Sequence, residues 1–153
     1  MQKDEITNNK NIALARLKDR LHTSLPQIRG VPFVTLSALK GQNLERLLNT
    51  VFKVYDIWNR RVTTARLNDW LKIVTSEHPP PMDRGRPVRM RYITQIKTRP
   101  PTFAIWAARS KSVPDSYIRY LVNRLRDEFN LDGTPLRLYL RQGRNPYASR
   151  GGQ

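Results

Sequence analysis

The sequence predicts an α/β fragment, one strand flanked by two helices, followed by an α+β unit of order α-β-β-α-β whose helices lie on one face of a three-stranded sheet. Two observations predict it. A nearly all-apolar, β-branched run sits between two amphipathic stretches in the first sixty residues, and from Arg61 onward helical periodicity alternates with period-two segments. A third observation, an excess of positive charge concentrated in the second unit, bears on what the fold is for.

The first helix spans 12–25, where Leu14, Leu17, Leu21 and Leu25 recur every three or four positions among Arg16, Lys18, Asp19 and Arg20. Gly30 breaks the pattern, and 31–36 (Val-Pro-Phe-Val-Thr-Leu) reads as a strand of the kind buried on both faces of a parallel sheet. A lone parallel strand leaves its N–H and C=O groups unpaired, and no flanking strands precede it here, so residues 1–60 read as a piece of a larger sheet. After Ser37-Ala38-Leu39-Lys40-Gly41 comes a second helix. Asn43 stands at its N-cap, and Leu44, Leu47, Leu48, Val51, Tyr55 and Trp58 form its apolar stripe.

The second unit opens near Arg61, with Thr63 or Thr64 capping a helix whose inward face is Leu67, Trp70, Leu71 and Val74; His78-Pro79-Pro80-Pro81 stops it. Strands follow at 88–93, alternating Val88, Met90 and Tyr92 with Arg89 and Arg91, and at 102–107, and the two are placed to pair antiparallel. Val113-Pro114-Asp115 starts the clearest helix, with Ile118, Leu121, Val122, Leu125 and Phe129 on one side and Arg119, Arg124 and Arg126 elsewhere. Gly133 lies just beyond its end. The last strand, 136–141, sets Leu136, Leu138 and Leu140 against Arg137, Tyr139 and Arg141. The expected division is therefore 1–60, 61–144, and a basic Gly-rich tail at 145–153.

Lysine and arginine number 28 against 12 acidic residues, a formal charge of +16, and 18 of the basic against 7 of the acidic residues lie from Arg61 onward. Such an excess calls for a polyanion. A membrane is not expected, because the longest apolar stretch, 104–108, is far too short to span one and no basic amphipathic anchor is present. There is no cysteine, and the histidines, His22 and His78, stand far apart, so no metal site is expected. Asp115 and Asp132 sit at helix boundaries, where capping or turn formation explains them. No nucleophile, base and orienting group assemble into a catalytic set.

The candidate binding surface is the polar face of the sheet: Arg89 and Arg91 on one strand and Arg137, Tyr139 and Arg141 on another, extended by Arg84 and Arg86 in the preceding loop. Arginines supply phosphate contacts, and Tyr139 offers a ring for a base to stack on. The same row also describes the solvated or interdomain face of a half-buried sheet. Trp58, Trp70 and Trp106 are expected in the core, with Tyr117 and Tyr120 as packing residues and Tyr147 pinning the tail.

Ser37-Ala38-Leu39-Lys40-Gly41, directly after the strand, resembles the fifth guanine-nucleotide motif of translation-factor-class GTPases. Arg84-Gly85-Arg86, Pro114-Asp115-Ser116-Tyr117 with Arg119-Tyr120-Leu121, Gly133-Thr134-Pro135-Leu136-Arg137 and Asn145-Pro146-Tyr147-Ala148 resemble, in order and spacing, signatures of the C-terminal domain of the EngA/Der family of tandem-G-domain ribosome-assembly GTPases. The resemblance implies that residues 1–60 are the tail of a P-loop G domain and 61–144 a KH-like domain. It implies that Ser37, Ala38 and Leu39 face guanine in the parent, which takes GTP and magnesium. It further implies cytoplasmic work on the large ribosomal subunit and its rRNA, with the G domains of the same polypeptide as the other partner.

The chain departs from a complete GTPase. It has no G-x-x-x-x-G-K-[ST], no Asp-x-x-Gly and no Asn-Lys-x-Asp, so GTP binding or hydrolysis is not expected of this stretch alone. Nor does it have the Gly-x-x-Gly with which KH domains clamp an RNA backbone. Two roles for the KH-like unit follow: recognition of rRNA or a pre-ribosomal particle coupled to the G domains, or intramolecular docking that regulates the G domains without touching RNA.

Overall fold

In the computed structural model, which describes residues 2–25 and 28–143, with side chains from residue 11 onward except His22, the chain runs α1 (Gln2–Ser24), α2 (Leu44–Asn59), α3 (Thr64–Glu77), β1 (Met90–Lys97), β2 (Thr102–Ala107), α4 (Asp115–Phe129) and β3 (Arg137–Gln142). A single 3₁₀ turn, Ser110–Ser112, precedes α4. The segment 145–153, with Tyr147, lies outside the described residues.

The strands form one mixed sheet in the order β1-β2-β3, antiparallel between β1 and β2 and parallel between β2 and β3. A parallel neighbour demands a crossover, and the 3₁₀ turn with α4 supplies it. Central β2 is buried along its whole length. Its Phe103 and Ile105 join Leu67, Val74, Ile93, Leu121, Leu125 and Leu131 in a core where each is fully excluded from water, a change worth about 1.5–3 kcal/mol per large side chain. The α+β unit expected from residue 61 onward is thus the one found, and α3 buries the four residues its periodicity marks.

Helix α4 buries Leu121, Leu125 and Phe129 of its expected face, with the face turned slightly toward Tyr117. It buries Tyr117, Leu121, Leu125, Arg126 and Phe129, while Ile118 and Val122 are only half-buried. Arg126, expected on the solvated side, is 2% exposed and donates from Nη1 to the carbonyls of Leu131 and Thr134 at 2.9 and 2.8 Å. Carbonyl dipoles that replace its water make the burial of a guanidinium tolerable. Tyr117 points its hydroxyl at the His78 carbonyl, 2.6 Å away, and the rings of His78, Tyr117 and Tyr120 form a mutual cluster, so all three are packing residues.

The first sixty residues differ more from expectation. Segment 31–36 makes no strand pairing among the described residues, and Leu36 is exposed. The physical reason is the absence of partner strands, without which a ladder cannot form. Asn43 occupies the N-cap of α2, but in the left-handed region and without a side-chain cap bond; its Nδ2 instead donates to the Thr35 carbonyl at 2.8 Å. The apolar stripe of α2 is present yet open: Leu44, Leu48, Val51, Tyr55 and Trp58 are exposed, so Trp58 is not in a core. Ile57 does pack against the core of the second unit. No helix among the described residues is long and apolar enough to cross a membrane.

Candidate nucleic-acid interface

Successive strand residues point to opposite faces, so the sheet register assigns each side chain to a face. On β2, Phe103 and Ile105 point into the helix-covered core, which sends Thr102, Ala104 and Trp106 to the other side. Their parallel partners on β3 are Arg137, Tyr139 and Arg141, and the sheet thus carries these three together on its face away from the core. Arg137 and Arg141 are exposed and Tyr139 is 47% exposed.

Trp106 is buried as expected but on this outer face. The Arg141 guanidinium lies 5.9 Å above its ring, and the Tyr92 ring is tilted against it at 5.6 Å. An arginine placed over an indole face gives up part of its side-chain freedom before any ligand arrives and still has N–H groups to offer a phosphate.

A bulge between Met90 and Tyr92 changes the phase of β1. Met90, opposite Ala107, faces the core, whereas Tyr92 pairs with Trp106 on the outer face, and Ile93 and Gln95 become the buried positions. Val88, Met90 and Tyr92 therefore do not line one face. Arg91 sits in the bulge, and Arg89 precedes the strand, its carbonyl accepting from the Ala108 N–H at 2.9 Å. Both side chains are exposed.

Arg84 and Arg86 stand apart from that row. They belong to a tight turn closed by reciprocal Asp83–Arg86 backbone bonds of 2.9 Å, and they line a cleft with Asp83, Arg109 and Ser112. Sequence reasoning missed Arg109 and Ser112, since an arginine followed by Ser-Lys-Ser carries no pattern. The 3₁₀ turn that holds Ser112 abuts β3, so the cleft lies at the end of the sheet that also bears Arg89 and Arg141. Among the described residues, ion pairs join Arg29, Lys72, Arg109 and Arg124 to carboxylates; Arg84, Arg86, Arg89, Arg91, Arg137 and Arg141 make none. Their charge is available to an outside partner.

Ser37, Ala38 and Leu39 form a hairpin-like loop. Ser37 exchanges backbone bonds with Gln42 at 3.2 and 3.1 Å, its Oγ accepts from the Lys40 N–H at 3.4 Å, and Leu39 is 95% exposed.

Residues 61–141 match the family described as the KH-domain-like domain of EngA bacterial GTPase enzymes, C-terminal. This chain belongs to that family. Relatives named GTPase Der include those of Parvibaculum lavamentivorans, 54% identical over 88% of the chain, Cereibacter sphaeroides, 49% identical over 98%, and Bartonella tribocorum, 45% identical over 95%. The chain spans 28–31% of the length of these relatives. Within the EngA-type domain, the matched stretch holds every candidate contact from Arg84 to Arg141, and the 37–39 loop precedes it.

Proposed function

We propose that this chain serves as the C-terminal region of an EngA/Der-type GTPase, where its KH-like domain recognises rRNA or a pre-ribosomal particle during large-subunit assembly in the bacterial cytoplasm. GTP and magnesium belong to the parent, in which Ser37, Ala38 and Leu39 would meet the guanine base. Nucleotide binding there moves the G domains against this domain and so uncovers or covers its basic surface.

The observation that carries the RNA reading is the outer sheet face: Arg137, Tyr139 and Arg141 in one row, with Arg141 over Trp106 and no ion pair from either arginine to a carboxylate among the described residues. Cations that position phosphates beside an exposed ring on which a base can stack are the minimum for binding single-stranded RNA without a Gly-x-x-Gly clamp.

The docking alternative draws on a different observation. The two units already touch, through Arg99 over the Tyr55 ring at 5.8 Å and Arg60 donating to the carbonyls of Phe129 and Asn130 at 2.9 and 3.0 Å. Those contacts use none of the outer-face arginines, which favours RNA as their partner.

Binding of the purified chain to isolated bacterial large ribosomal subunits over a salt series tests the reading. The Arg137→Glu/Arg141→Glu variant is expected to bind at least tenfold more weakly, with the salt slope reduced by about one for each phosphate no longer neutralised. Equal binding by wild type, variant and an unrelated protein of the same charge would transfer the face to docking.

A further inference from the structure

We propose that the cleft between the 83–86 turn and the 109–112 turn is a seat for one phosphate group. The proposal rests on the RNA reading only for the source of that phosphate, a backbone diester, and not for the site itself.

The cleft has a volume of about 450 Å³ and is lined by Asp83, Arg84, Arg86, Arg109 and Ser112. Three arginines and a serine line it beside a single aspartate. No aromatic or aliphatic side chain is in the lining, so nothing there would recognise a base or an apolar group; the walls suit an oxyanion.

Asp83 does not cancel this charge so much as arrange it. Its Oδ2 lies 3.7 Å from Arg109 Nε, tying one turn to the other. A guanidinium engaged at Nε turns its Nη edge away from that carboxylate, and that edge is the one a second oxyanion meets in a forked pair.

The backbone is shaped for the same end. Among the described residues, four other than glycine have positive φ: Asn43, Arg84, Arg109 and Asn130. Asparagine enters the left-handed region readily, but arginine does so against steric cost. Both strained arginines, at φ 50° and 59°, line this one cleft. A turn selected for stability alone would carry glycine or asparagine at these positions. The left-handed backbone holds these arginines in the cleft at a steric cost, and the mutual repulsion of the cations gathered there is relieved when an anion enters.

The site is tested by titrating inorganic phosphate into the ¹⁵N-labelled 153-residue chain and following backbone amide signals. Saturable shifts confined to Arg84, Gly85, Arg86, Arg109 and Ser112 are expected, with affinity at least fivefold weaker in Arg109→Asn and in Ser112→Ala. Asparagine keeps the left-handed turn, so Arg109→Asn removes the cation without unfolding the loop. Shifts that never saturate and spread over exposed arginines such as Arg119 and Arg124, or that persist unchanged in Arg109→Asn, would overturn the site. A hexaribonucleotide without terminal phosphates identifies the source: movement of the same signals at lower concentration supports a backbone diester, and no movement where inorganic phosphate still binds overturns that assignment in favour of free phosphate. The RNA reading fails separately, when Arg137→Glu/Arg141→Glu leaves large-subunit binding intact, whether or not the cleft fills.

Discussion

Buried polar side chains on α4 act through backbone carbonyls. Burial depresses the Arg126 pKa from its usual range, Asp132 opposes that shift, Arg29 adds to it and Asp127 opposes it, while the two carbonyl contacts fix the turn after the helix. Tyr117 gives the more accessible test. Burial, and secondarily its neighbour Tyr120, push its pKa up to about 12 from the ordinary 10. The folded protein therefore keeps a proton that the unfolded chain begins to lose near pH 10. The stability tied to Tyr117 is intact below that pH and drains away as pH rises toward 12. Tyr117→Phe loses the bond to the His78 carbonyl, about 1 kcal/mol at pH 8, but escapes the alkaline loss. Urea melts should show wild type ahead by about 1 kcal/mol at pH 8, and the order should reverse as wild type loses on the order of 2 kcal/mol relative to the variant between pH 10 and 12. A gap independent of pH would show that the hydroxyl titrates as it does in water.

At the scale of elements, β1 is an edge strand, and α3 latches its backbone through Asn68. Asn68 accepts from the Ile93 N–H at 3.1 Å and donates to the Ile93 carbonyl at 3.0 Å, imitating the missing neighbour strand. Gln95 holds the next stretch, accepting from the Val62 N–H at 2.8 Å and donating to the Arg60 carbonyl at 3.0 Å. Asn68→Ala should cost about 2 kcal/mol by stranding both groups, and should speed hydrogen exchange at the Ile93 amide more than tenfold; unchanged exchange would mean that the latch does not protect it. The sequence made the helical face of α3 and the alternation of β3 legible because burial there follows period alone. It did not reveal the β1 bulge, which no glycine or proline marks and which separates Tyr92 from Met90. Arg126 was equally hidden, since arginine reads as solvated until carbonyls converge on it. Of the candidate site, Arg137, Tyr139 and Arg141 were readable as one row, whereas Arg109 reaches Arg84 and Arg86 only through a tertiary contact between two loops.

At the scale of the whole molecule, the two units meet at a junction built on close backbone approach. The Gly133 N–H donates to the Arg29 carbonyl at 2.8 Å, and an exposed Arg29–Asp127 pair at 3.6 Å flanks it. The exposed pair contributes little; the close fit of Gly133 against the 30–32 segment joins the Arg60, Tyr55 and Ile57 contacts in holding the two units together. Gly133 has φ +75°, and a Cβ there would lie 3.1 Å from Pro32 Cδ and 3.2 Å from the Gly30 carbonyl oxygen. Gly85 supplies the control, with φ +74° and nothing within 4 Å of a Cβ. Alanine at either position pays the left-handed backbone cost of about 1 kcal/mol, but only Gly133→Ala adds overpacking, about 1–3 kcal/mol more. Denaturant melts of the two variants should differ by that amount, and in Gly133→Ala alone the amides of residues 29–34 should exchange faster by a larger factor than the core amides of Phe103 and Ile105, whose rise reports only the global loss. Equal losses in both variants would mean that the junction yields without strain.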